Sequence, residues 1–115
     1  MSDEGQTDSI QVGHVRVIFL SAVDHSTVDQ ARVLAQALCV YDERNAKYMD
    51  NWKRSGWRGA LFKLKLKVER AWDVMWDANP SDVTTDDVDD LLDAINCAGM
   101  AVRAMEDKNR DGSWW

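Results

Sequence analysis

The sequence predicts a mainly α protein: a small bundle of three main helices with an N-terminal strand-like extension, assembled as a homo-oligomer. Apolar residues recur at helical spacing in three windows, each bounded by start and stop signals. Residues 10–20 (IQVGHVRVIFL) are instead β-branched and partly alternating. The last helical window, residues 86–106, is apolar on two opposite sides, and such a helix needs two partners.

Taken in order, residues 1–9 are polar and acidic with no apolar anchor, and they read as a disordered N-terminus. Residues 10–107 form the single domain that 115 residues allow, and residues 108–115 form an aromatic tail. The strand-like segment has no obvious partner. It pairs with its symmetry mate, folds as a small hairpin around Gly13, or is helical.

The first helix starts at a cap on Ser26 or Thr27 and runs to about Tyr48. Its inner stripe is Val28, Ala31, Leu34, Ala35, Leu38 and Tyr41. A loop over residues 50–59 follows from Ser55, Gly56 and Gly59, with Trp52 and Trp57 pinning it to the bundle. Residues 60–78 alternate at first, as FKLKLKVE, but only a helix accommodates the whole run, with Leu61, Leu64, Val68, Ala71, Trp72, Met75 and Trp76 on its stripe. Asn79-Pro80-Ser81 stops it, and Thr84 or Thr85 caps the third helix, whose first-turn acids favour the helix dipole.

At about 100° per residue, Val88, Leu91, Leu92, Ile95, Ala98, Gly99 and Val102 share one stripe of that helix and read as core. Asp86, Asp90 and Asp93, then Cys97, Met100, Ala101 and Ala104, share the opposite stripe, which reads as the oligomer interface with carboxylates at its mouth. Trp114 and Trp115 would form an exposed apolar patch and are expected to dock, within the chain or on a neighbour.

The net charge of −6 conceals a segregation. Residues 51–70 carry seven cations against Glu69, whereas residues 77–93 carry seven aspartates and no cation. The blocks neutralise each other inside the assembly, or the basic block stays free for phosphate. The acidic total argues against a dedicated nucleic-acid binder. Single-strand binding through Trp52, Trp57 and the basic block is the weakest of the readings. Cys39 and Cys97 sit in apolar helical pattern without metal-ligand spacing, so free thiols and a cytoplasmic location are expected. No apolar run approaches a membrane span, and MSDEGQTDS is no signal sequence. His14 and His25 belong to no nucleophile motif, and phosphate-binding glycine loops are missing. What remains is the acidic stripe. Asp86, Asp90 and Asp93, at spacings of four and three, suit Mg2+ with water and substrate phosphates completing its shell, and Asn96 continues the flank toward a base or ribose.

The succession YDERNAKYMDNW, KVERAW and DDLLDAINCAGMAVRAM resembles the phage-encoded MazG-like all-α nucleotide pyrophosphohydrolases, including the nucleotide modification associated domain, over residues 33–106. The resemblance implies an oligomeric bundle that holds Mg2+ between acids of two helices and cleaves a nucleoside triphosphate to the monophosphate and pyrophosphate. Asp90 and Asp93 match the family's E-x-x-D in type, Asn96 stands where relatives often carry Asn, and Lys67 and Arg70 match a K-x-x-R of the phage relatives. On this basis Asp90 and Asp93 are the catalytic candidates, Glu69, Asp86, Asp90 and Asp93 the metal ligands, and Lys67, Arg70 and Asn96 the substrate contacts. The chain departs from the family at E-E-x-x-E, where FKLKLKVER supplies lysines and one glutamate. That departure implies a degenerate metal site. The alternative is a non-catalytic oligomeric phage adaptor or inhibitor that binds a host protein.

Overall fold

The computed structural model describes residues 9–48 and 54–111. Trp52 and the tail residues Trp114 and Trp115 lie outside the described residues, as do residues 1–8. The chain is mainly helical: a two-stranded hairpin, β1 (Ser9–Val12) and β2 (Val15–Ile18), precedes α1 (His25–Tyr48), α2 (Gly56–Met75) and α3 (Thr85–Asp111). None of the described helices is long and apolar enough to cross a membrane.

Of the three readings of the N-terminal segment, the hairpin is the one realised. Ser9, expected to be disordered, opens β1 opposite Ile18. Gly13 makes the tight turn with φ of 56°. It is held close to α1, since a Cβ there would lie 3.3 Å from the Cys39 Sγ. Ile10 pairs with Val17 and Val12 with Val15, placing all four on the side toward α1. On the other side Arg16 donates to Gln11 across the strands at 3.2 Å. The tip is tied down by the Cys39 thiol donating to the Val12 carbonyl at 3.2 Å and by His14 against Asp42 at 2.8 Å.

The starts of α1 and α3 follow capping chemistry. Asp24, not Ser26 or Thr27, caps α1: its carboxylate accepts from the Thr27 amide at 2.9 Å and from the Thr27 hydroxyl at 3.1 Å. The Thr27 amide is the main reason the Asp24 carboxyl sits below its ordinary value. Thr84 caps α3 in a reciprocal box, its hydroxyl accepting from the Asp87 amide while Asp87 accepts from the Thr84 amide at 2.9 Å. The expected loop over 50–59 is shorter because α2 begins at Gly56, which adopts φ of 66°. Gly59 lies within the helix, and Ser55 packs so closely on it that a Cβ there would fall 2.2 Å from the Ser55 side chain.

α3 is the central helix. It packs along α2 most extensively and against α1 less, while α1 and α2 scarcely touch and the hairpin covers only α1. Ala60 meets Cys97 and Met100, while Lys67 and Arg70 meet Asp93 and Asp90, so α2 and α3 run antiparallel.

Of the expected inner stripes, Val28, Ala35 and Ala71 are buried, while the larger residues are corrected by this packing. Six of the eleven buried apolar residues are alanines, and the larger neighbours point away: Leu34 and Leu38 on α1 and Leu61, Val68, Trp72 and Trp76 on α2 are all exposed. On α3 most of the assignment inverts, although Leu92 is buried as expected. Val88, Leu91 and Val102, expected in the core, are 41–57% exposed, whereas Asp93, Cys97, Met100 and Ala104 are buried. The face expected to form the oligomer interface is the inner face of the single chain, because the cations of α2 and α1 give its acids partners there.

Candidate functional site

A cleft of about 570 Å3 lies above the inner face of α3, walled by α1 and α2. Its floor is α3 itself, where Asp93, Asn96, Cys97 and Met100 follow one another at helical spacing. From α1 comes Arg44, and Arg54 stands ahead of α2. α2 contributes Lys63, Lys67 and Arg70, which its 3.6-residue period brings to one side. Among the described residues, five cations thus converge where Asp93 is the one carboxylate of the lining.

The centre is an ion-pair network. Arg44 Nη1 donates to one Asp93 oxygen, and Lys67 Nζ lies 3.1 Å from the other. The same Lys67 is 3.5 Å from Asp90 Oδ1, which Arg70 Nη1 also approaches at 3.5 Å. Burial pushes the Asp93 carboxyl up, but the hydrogen bonds from Arg44 and Lys67 outweigh it, and the group is held below the ordinary carboxylate value. Asp93 is therefore an anion at neutral pH, and the cations beside it keep it so.

Of the residues singled out by sequence, Lys67, Arg70, Asp90 and Asp93 come together. Asn96 lines the same cleft, but its amide is committed to structure, donating to the Ala37 carbonyl of α1 at 2.8 Å. Two others stay outside. Glu69 is exposed and pairs with Lys65 at 3.7 Å along its own helix, and Asp86 is exposed in the first turn of α3. Among the described residues no group of three or more His, Cys, Asp or Glu gathers in a way that could hold a metal ion. Asp93 has both oxygens engaged by cations, and Asp90 shares one of its own with two. In this arrangement the donor set lacks the uncompensated negative charge that Mg2+ requires. No hydrolytic step follows from it.

The arrangement suits an anion better. Lys67 and Arg70 hold Asp90 at 3.5 Å, longer than a tight charge-assisted hydrogen bond, so a phosphate oxygen entering the cleft competes with a carboxylate for the same donors. Lys63 and Arg54 add exposed positive charge at the mouth. Leu66, Cys97 and Met100 offer an apolar wall for a base. Cys97 is no nucleophile, since burial and then the charge of Asp93 push its thiol up.

Sequence reasoning counted Arg54 and Lys63 in the basic block without assigning them to the site, and it missed Arg44. Arg44 occupies the polar end of α1, where DERN reads as a solvated helix end. The available signal was its wheel position beside Ala37 and Tyr41, the side that meets α3. The two charge blocks do pair with each other at Lys67, Arg70, Asp90 and Asp93, while part of the basic block remains at the cleft mouth. Trp57 lies on α2 with the Arg58 guanidinium 4.9 Å from its ring centre. Compared with known proteins, the chain matches no family model, no curated protein and no solved structure.

Proposed function

We propose that this chain is a nucleotide-handling protein of the MazG-like kind, with a degenerate metal site, which binds the phosphates of a nucleotide in the cleft between α1 and α2. The observation that carries the proposal is the convergence of Arg44, Arg54, Lys63, Lys67 and Arg70, which among the described residues are met by two carboxylates, Asp93 in the lining and Asp90 beside it. Phosphate oxygens displace Asp90 from Lys67 and Arg70, and the base lies on Leu66 and Met100. Mg2+ enters with the nucleotide, once phosphates have relieved Asp90 and Asp93 of their cations. Pyrophosphohydrolysis is the activity the resemblance implies, and the paired state of both aspartates supports a binder in preference to an efficient hydrolase.

The test is a panel of ribo- and deoxynucleoside triphosphates with and without Mg2+ or Mn2+, read together for thermal shift and pyrophosphate release. A shift of several degrees without release supports the binder. Metal-dependent release restores the hydrolase, and neither response at millimolar nucleotide removes the nucleotide reading.

A second reading, an oligomeric adaptor or inhibitor directed at a host protein, is favoured by the large apolar side chains left exposed on all three helices. In either reading the chain self-associates in the cytoplasm of its host, since a domain that buries mostly alanines leaves its larger apolar residues for another layer.

A further inference from the structure

We infer that the back of the α2–α3 pair, the side away from the cleft, is the contact surface for a second copy of this chain, packed about a two-fold axis with α2 antiparallel to its mate. The inference rests on the reading that the chain self-associates, and it adds the surface and the register.

Lys63, Leu66, Lys67 and Arg70 line the cleft, so helix geometry sends Leu61, Val68 and Trp72 to the opposite flank of α2. On α3, Asp93, Cys97 and Met100 face the cleft, which sends Leu91 and Val102 to the back. These two flanks adjoin along the antiparallel pair. Leu61, Val68, Trp72, Trp76, Leu91 and Val102 are each 41–66% exposed. Together they leave large apolar side chains open on one side of the helix pair, the composition that marks the core of an interface.

Charge selects the occupant. Along its exposed margin α2 carries Arg58 and Lys65 in its first half and Glu69 and Asp73 in its second. A helix whose halves differ in sign complements a second copy of itself when the two run antiparallel. A two-fold axis near Leu66 and Lys67 sets Lys65 beside the partner's Glu69, Arg58 beside the partner's Asp73, and Leu61 against the partner's Trp72. Leu61 and Val68 also border a groove of about 640 Å3 with Trp57 and Phe62, roomy enough for that indole. Because α3 is antiparallel to α2, the same axis passes α3 near Asp93 and sets Val88 against the partner's Gly99. Gly99 is open there, since a Cβ on it would meet nothing within 4 Å. The cationic cleft stays on the outside of the dimer.

Arg58 and Asp73 are fifteen residues apart on one helix, about 22 Å, and cannot meet within a chain. Sedimentation velocity should therefore find the unaltered protein dimeric, and Arg58→Glu and Asp73→Arg each shifted toward monomer by at least tenfold in dissociation constant. An equimolar mixture of the two variants should recover the dimer, because every cross-interface pair is then of opposite sign. Leu61→Lys, at a half-exposed position, should give monomer with unchanged far-UV circular dichroism and serves if a charge variant folds poorly. A monomeric unaltered chain overturns self-association itself. A dimer indifferent to all three substitutions leaves self-association standing and overturns this surface, and failure of the mixture to recover overturns the register.

Discussion

The two faces of α3 reverse the usual rule. Its inner face carries Asp90 and Asp93 and packs against α2 and α1, whereas its outer face carries Val88, Leu91 and Val102 and meets solvent. The side that went in is apolar in Leu92, Ala94, Cys97, Met100 and Ala104, yet it takes Asp93 with it and leaves larger apolar residues outside. Three cations and two carboxylates, held within one network, make the polar side self-sufficient in the single chain. The apolar side has no third helix left to cover it, since α1 is occupied by the hairpin and by the flank of α3 beside Asn96 and Arg103. A short chain with three helices can close one face of its central helix, and this one closes the face that carries charge.

The largest expected effect comes from breaking the inner face at its most buried charge. Asp93→Ala removes the carboxylate shared by Arg44 and Lys67 and should lower unfolding free energy by about 1–3 kcal/mol, short of the 3–5 of a fully enclosed pair because Arg44 is half exposed and Lys67 keeps Asp90. Urea denaturation of the two proteins measures this. The pH dependence has a definite sign: Asp93 is depressed in the folded state, so its contribution is complete above the unfolded carboxylate value near 4 and is lost as pH falls below that value through the folded one. Asp93→Asn should flatten the acid limb of the stability profile, and an unchanged limb would place the acid sensitivity elsewhere.

Comparable in size is the contrast between faces in apolar packing. Met100→Ala, on the inner face where Met100 meets Ala60, should cost about 2–3 kcal/mol. Val102→Ala, two residues on and 57% exposed, should cost under about 0.5 kcal/mol in dilute protein. Equal costs would mean that the outer face is already covered at the concentration used.

The cleft offers a smaller effect, on binding rather than on folding. Lys63 is exposed at the mouth and holds none of the ion pairs that position Asp93. Lys63→Glu should leave the melting temperature of the free protein within a degree or two and weaken nucleotide binding about tenfold, or ~1.4 kcal/mol. Calorimetric titration with a nucleoside triphosphate reads it directly. Unaltered affinity would take Lys63 out of the site.

How much of this the sequence carried depends on which physics each feature obeys. The three helices were legible because apolar periodicity and capping residues are local: Thr84 marks the third helix's start where the structure has it, whereas the second helix, expected to run to residue 78, ends at Met75, and Pro80 opens a short 3-10 turn instead. The two-sidedness of α3 was legible for the same reason. Which side is buried was not, because it is set by Lys67, Arg70 and Arg44 arriving from other helices. Asp90 and Asp93 could be picked out as a pair by their spacing, but a spacing of three shows only a shared face and says nothing of the cations opposite. Arg44 escaped because its value comes from a partner 49 residues away. Leu34, Leu38, Leu61 and Trp72 read as core on any hydropathy argument, and their exposure follows from the alanines beside them, which let the helices approach by their small sides.

The finest discrimination between the faces is at Gly99, on the outer side of α3. In the single chain nothing lies within 4 Å of a Cβ at this position, and glycine in a helix interior costs up to about 1 kcal/mol relative to alanine, so Gly99→Ala should stabilise dilute protein by that amount. In the two-fold assembly the partner's Val88 occupies that space, and the added methyl pushes the copies apart. The gain measured by thermal unfolding should therefore shrink or change sign as protein concentration rises through the dimerisation range. A gain that is the same at every concentration would leave the outer face of α3 facing water, and would confine any contact between copies to α2.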